Sequence, residues 1–235
     1  MYDGIVEFYD MFMSDVDYSA WCDFSTQFFN GKKGCDVGCG SGKFTIELAK
    51  RGYEVVGLDP SALMIEKAYI NARKQGISIP FALMDAEKLL LNGKFNFITA
   101  VCDVVNYLKN PQNFFKKAYE YLDKDGILFF DVSSEYKLRK ILGNNTFSDE
   151  ENGSLYVWNN FLGKNYVDLE LSFFKKDKDG KYIRYDENQR QYIHKSVDLV
   201  NCLKEIGYSQ VFIYSDFDKQ EEKKTSERLY FVAKR

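Results

Sequence analysis

Cys35-Asp36-Val37-Gly38-Cys39-Gly40-Ser41-Gly42 runs from a short β-prone segment into three alternating glycines, and Phe44 to Lys50 resumes with helical spacing. The order is strand, tight turn, helix. Glycines in such a turn let a ligand lie across bare backbone and face the free amides of a helix N-terminus. Three uses of the turn can be separated. A phosphate-binding P-loop needs a glycine five positions before Gly42 and Ser or Thr after Lys43, where Val37 and Phe44 stand. A radical iron–sulfur motif could begin with Cys35 and Cys39, but its third ligand falls on Gly42, which has no side chain to offer iron. A dinucleotide turn prefers GxGxxG, whereas these glycines fall at every second position behind the acid Asp36. The spacing favours a ligand without a pyrophosphate.

Outward from this turn, strand-like and helix-like segments alternate. Glu54 to Leu58 reads as a strand, Ala62 to Lys74 as a helix, Ile79 to Leu83 and Phe95 to Val101 as strands, Pro111 to Leu122 as a helix, and Gly126 to Val132 as a fifth strand. That alternation predicts an α/β fold with a doubly wound, mostly parallel sheet covered on both faces. It stops at residue 136. Leu155 to Phe161, Tyr166 to Lys175 and Tyr182 to Tyr192 read as three strands of an antiparallel meander, with hairpin signals at Gly163-Lys164-Asn165 and Asp179-Gly180. The helix Val197 to Ile206 and the strands Gln210 to Tyr214 and Arg228 to Ala233 then complete a seven-stranded sheet. Tyr2 to Phe29 reads as two short helices, and the charge run at 219–224 as a solvated loop. The expected organisation is a helical arm over 1–30, a ligand-binding domain over 31–135 and 194–235, and a β insertion over 136–193.

Asp36-Val37-Gly38-Cys39-Gly40-Ser41-Gly42 resembles the first motif of class I S-adenosylmethionine-dependent methyltransferases, and the order of elements is similar to that fold. The resemblance implies a Rossmann-like methyltransferase fold with S-adenosylmethionine as cofactor. It implies that Gly38, Cys39, Gly40 and Gly42 let the backbone approach the amino-acid part of that cofactor, with Asp36 orienting it. Asp59, at the end of the second strand, is placed to accept from the ribose hydroxyls; an Asp before Pro60 is also an ordinary helix cap. Asp85 and Ala86 fall where the adenine is bound, and Met64 is placed to flank it. Tyr18 and Trp21 of the arm either contact the cofactor or merely pack.

The acceptor should lie beyond the fourth strand, at the carboxyl edge of the sheet, where Cys102, a candidate cofactor contact, is followed by Asp103 and Tyr107. The Pro-Pro-Tyr signature of enzymes that methylate nucleic-acid bases is absent, and the chain instead resembles bacterial small-molecule methyltransferases, whose arm and β insertion close over the acceptor. Asp103 is the candidate base, while the single histidine, His194, reads as a capping or surface residue. Asp103 and Asp131 could alternatively share a divalent ion, but the residues after Asp131 lack a completing ligand, so no metal is expected. From the insertion, Trp158, Arg184 and Tyr192 are candidate acceptor contacts, with Tyr156 and Arg190 beside them, and the arginines would suit a polar or acidic acceptor. Strand alternation turns about half of such side chains away. N- and O-methylation stay open, as do a non-catalytic cofactor-binding protein and, further off, a dinucleotide oxidoreductase.

Composition narrows the partners. The 235 residues are 45% hydrophobic, enough for one large domain with an elaboration. With 35 acidic against 32 basic residues the net charge is −3, which gives no footprint for a phosphate backbone, so no nucleic acid is expected. No run approaches the roughly 20 apolar residues of a membrane span. Met1 to Asp10 has neither a basic leader nor an apolar core, and the five cysteines form no CxxC pair, so a cytoplasmic protein with free thiols is expected.

Overall fold

The computed structural model describes residues 13, 16–151, 153–215, 217 and 222–235. The first helix expected in the arm and residues 219–221 of the 219–224 run lie outside the described residues. The arm's second helix is α1 (Tyr18–Ser25), started by Asp17, whose carboxylate accepts from the Ala20 amide at 2.9 Å.

The main sheet holds β1 (Lys33–Val37), β2 (Glu54–Asp59), β3 (Phe81–Leu83), β4 (Phe95–Ala100), β5 (Leu122–Ser133), β10 (Gln210–Tyr214) and β11 (Arg228–Lys234). Their spatial order is β10-β11-β5-β4-β1-β2-β3. Only β11 runs against its neighbours. Apolar residues of both parities fill the central strands, because helices cover both faces. On one face Ile98, Leu128, Phe130 and Phe231 pack with α5 (Gln112–Tyr121) and α6 (Ser196–Ile206). On the other, Phe97, Phe129 and Val232 meet α1, α2 (Lys43–Lys50) and α3 (Ala62–Lys74). Each fully buried Phe contributes about 2–3 kcal/mol by leaving water, so these two layers fix where the strand ends fall. The order of strands reverses between β1 and β4, the switch point at which open α/β sheets form a crevice.

Several boundaries differ from expectation. β3 begins only at Phe81, because Pro80 has no amide to donate, although its carbonyl accepts from Gly57 at 3.0 Å. β5 starts at Leu122, four residues before Gly126, with Asp125 in a left-handed conformation at φ 63° beside a register shift. A π-helix at Lys137–Leu142 follows β5. The second sheet has four strands rather than three: β6 (Thr146–Glu151), β7 (Ser154–Leu162), β8 (Tyr166–Lys176) and β9 (Tyr182–Tyr192), antiparallel in that order. β6 carries Ser148, Asp149 and Glu150, whose polarity conceals a strand from any search for apolar alternation.

Candidate active site

The carboxyl ends of β1 to β4 surround a cavity of about 270 Å³. Gly38 and Gly40 line it from β1, Asp59 and Pro60 from β2, Asp85 to Glu87 from beyond β3, and Cys102, Val104, Tyr107 and Leu108 from beyond β4, with Met64 of α3. A smaller cavity lies against the glycine turn, lined by Tyr18, Asp36, Ser41 and Lys43 among others. Gly38 and Cys102 belong to both. The turn is anchored by the amides of Gly38 and Cys39, which donate to the Leu58 carbonyl at 2.7 and 2.9 Å. Gly38 is left-handed at φ 72°, and a Cβ there would meet Val104 Cγ2 at 2.4 Å, so glycine is required both for the turn and for the close approach.

Electrostatics divide the two cavities. Asp36 is fully buried and accepts from Thr45 Oγ1 at 2.6 Å and Thr99 Oγ1 at 2.8 Å. Burial pushes its carboxyl up to about 6, against the opposing pull of those two hydroxyls. Lys43 extends its ammonium over the Tyr18 ring, 5.8 Å from the centroid, so the small cavity is lined by charges of both signs. Among the described residues, the charged ones that line the larger cavity are acids: Asp59, Asp85 and Glu87. Asp59 accepts from the Gly40 amide and the Ser61 amide, both at 2.9 Å, while Ser61 caps α3. Burial raises the Asp59 carboxyl and these amides oppose the rise. The Asp85 carboxylate accepts from the Glu87 amide at 2.9 Å.

Cys102 and Asp103 form a turn with successive left-handed non-glycine residues, φ 63° and 67°, leading into the single-turn helix α4 (Val104–Tyr107). Both amides donate to Asp131, at 2.7 and 3.4 Å. Asp103 accepts from the Ser133 amide at 3.0 Å, from the Ser133 hydroxyl at 2.9 Å and from Arg228 at 2.7 Å. Arg228 also pairs with Asp131. Asp103 is therefore poorly suited to the role of base: burial pushes its carboxyl up, but Arg228, Lys137 and these hydrogen bonds outweigh it and hold the group below the ordinary range. The pair considered as a cation site is instead bridged by the guanidinium. Trp21 does not line either cavity; it packs on Tyr230 and Phe217, with the Arg228 guanidinium 5.3 Å from its ring.

The second sheet meets this edge through α4. Tyr107 donates its hydroxyl proton to Gln189 Oε1 at 2.8 Å and accepts from Gln191 Nε2 at 3.4 Å. Asn106, fully buried, donates to the carbonyls of Tyr192 at 3.0 Å and Ser133 at 3.3 Å. His194 Nε2 lies 3.0 Å from the Leu108 carbonyl oxygen, and burial lowers its pKa, so the histidine braces the end of the insertion rather than capping a helix. Along β9 the odd-numbered side chains share the face of the buried β8 residues Val167, Leu169, Leu171 and Phe173. Gln189 and Gln191 are thus buried, and the even-numbered residues lie on the opposite face. Arg184 is accordingly an outer residue, ion-paired with Asp186 at 2.8 Å, and Arg190 pairs with Asp168. Tyr192 has the same outer parity and reaches α4 only through its backbone. Trp158 lies on the inner face and packs against Phe147 in the core of the second sheet. The expectation of an arginine-lined acceptor wall is overturned by this parity. Gln189, Gln191, Asn106 and Arg228 were missed; the available signal was the odd-position run Tyr185, Glu187, Gln189, Gln191, once a register is assumed.

The family profile described as "Methyltransferase domain" matches residues 29–187. A protein of Geobacillus sp. (strain WCH70) designated a methyltransferase is 34% identical over 245 residues, covering 100% of this chain and 99% of that one. An S-adenosylmethionine-dependent methyltransferase from Clostridium acetobutylicum ATCC 824 superposes with a TM-score of 0.88 at 28% identity, covering 97% of this chain and 95% of that chain. An amino pentose methyltransferase from Micromonospora echinaspora, solved with S-adenosylmethionine bound, shares the fold at a TM-score of 0.72 and 17% identity, covering 94% and 93% of the two chains.

Proposed function

This chain belongs to the S-adenosylmethionine-dependent methyltransferases, and we propose that it methylates a small acceptor that offers N–H or O–H donors and carries no negative charge. The observation that supports this class is the parity of β9, which turns Gln189 and Gln191 inward and Arg184 and Arg190 outward. Gln191 Oε1 is buried with no hydrogen-bond partner among the described residues, and the residue is 5% exposed. A buried amide oxygen left in this state costs about 1–3 kcal/mol, which a donor on the acceptor would recover. The acids of the larger cavity disfavour a carboxylate or phosphate nearby.

The residues present fit the cofactor. In our assignment Asp59 holds the ribose, Asp85, Ala86 and Met64 the adenine, and Gly38, Cys39 and Gly40 the backbone approach. Asp36, Tyr18 and Lys43 face the amino-acid end, whose zwitterion needs charges of both signs. When bound, S-adenosylmethionine supplies an activated methyl group, so the protein's task is to hold the acceptor atom in line at near-contact distance. Tyr107, Gln189 and Gln191 orient the acceptor, and the second sheet excludes water above it as a lid. No side chain need take a proton when the acceptor is an uncharged amine.

The test is a screen for S-adenosylhomocysteine release with amines, amino sugars and polyols against carboxylic acids and phosphomonoesters. Turnover confined to the first group is expected; turnover confined to the anions would overturn the reading.

A further inference from the structure

We infer that Arg228 is a positioning residue for the cofactor, holding the Cys102–Asp103 turn in the backbone shape against which the glycine turn packs. Arg228 lines neither cavity. It acts at one remove, through the two carboxylates that grip the turn.

Two left-handed non-glycine residues in succession cost about 1–2 kcal/mol each, so the turn persists only if something holds it. Asp131 does so by accepting both amides, and Asp103 by accepting from Ser133 across the strand. These acids would face each other in a buried site without Arg228, whose Nη1 pairs with both while its Nη2 donates to the second oxygen of Asp103 at 3.4 Å. With the guanidinium removed, one carboxylate must take up a proton or swing away, and the amides it holds are released. The Trp21 ring covers the guanidinium and ties it to α1. The consequence reaches the site because Cys102 lines both cavities and Val104, the next residue after the turn, is the wall that Gly38 faces. The effect should concentrate where the cavities meet, toward the amino-acid end. This step rests on the assignment of the two cavities made above.

Lysine at 228 keeps the charge but lacks the planar second nitrogen with which Arg228 also holds the other oxygen of Asp103. The experiment is calorimetric titration of wild type, Arg228→Met and Arg228→Lys with S-adenosylhomocysteine and, separately, with adenosine, with thermal unfolding as a check on the fold. Arg228→Met is expected to weaken S-adenosylhomocysteine about tenfold or more and adenosine by less than about threefold, with Arg228→Lys between wild type and Arg228→Met. A general loosening of the fold would weaken both ligands alike, and that result, or unchanged S-adenosylhomocysteine binding, overturns the proposal. If Arg228→Met does not fold, Asp103→Asn is read on the same two ligands with the same expectation. Asp59→Ala tests the cavity assignment separately, since it should weaken both ligands.

Discussion

The wall of the cleft built at the ends of β1, β2 and β3 and the wall of side chains that β9 sets behind Tyr107 hold their polar groups by different means. On the first wall the glycine turn and Asp59 sit at strand ends and are held by backbone, through the amides of Gly38 and Cys39 on Leu58 and of Gly40 and Ser61 on Asp59, while Asp36 is held by two threonine hydroxyls. On the second, functional groups lie mid-strand, and which of them face inward depends on a register set by the apolar residues of β8. A strand end is a position in the chain, whereas a strand face depends on pairing, and a one-residue slip would exchange Gln191 for Arg190.

Substitutions can break or sharpen this contrast. The largest effect is expected at Gly38→Ala, where a Cβ enters Val104 and a left-handed φ is strained; S-adenosylhomocysteine affinity by calorimetry should fall on the order of 100-fold. Asp59→Ala should cost about tenfold or more, near 1.4 kcal/mol, on the same measurement. On the other wall, Gln191→Leu should leave cofactor affinity within about twofold while lowering kcat/KM for an acceptor found in the screen by about tenfold. If cofactor binding falls equally, the two walls are not separate. A smaller effect concerns pH. Asp36 titrates near 6 when folded against an ordinary 3.8, so the folded state holds a proton that the unfolded chain has lost. That group's contribution to stability therefore declines as pH rises from about 4 to about 6. An ammonium ligand prefers the ionised form, so S-adenosylhomocysteine affinity should rise a few-fold from about pH 5 to 7, and Asp36→Asn should flatten the rise. The smallest effect is expected at Arg184→Ala, whose partners are on the outer face: initial rates should stay within about twofold.

The same contrast explains what could be read from the chain. The positions of the glycine turn, Asp59 and Asp85 at the edge of the cavity were legible because a strand–turn–helix order locates a strand end within a residue or two. The inner residues of β9 were not, since Arg184, Asp186, Asn188 and Arg190 on one parity and Glu187, Gln189 and Gln191 on the other are all polar. Only the pairing with Val167 to Phe173 separates them. Trp21 was legible as an arm residue but not as the cover of Arg228, because its partner lies at the far end of the chain. Arg228 itself begins a strand of Leu229, Tyr230, Phe231 and Val232, an unusual place for a charge, and its two acids come from β5 and from the turn after β4, brought together by topology alone.

Asn106 accepts from the Ser133 amide and donates to the carbonyls of Ser133 and Tyr192. One side chain thus touches both the point where the chain departs for the second sheet and the point where it comes back. Two openings so near each other make the intervening segment a cassette: it can be lengthened, shortened or exchanged for another while the cofactor platform keeps its connections, because closing the gap requires little added chain. If the second sheet selects the acceptor, as proposed, such an arrangement separates inheritance of the reaction from inheritance of the acceptor, and grafting of a relative's 136–193 segment should alter specificity.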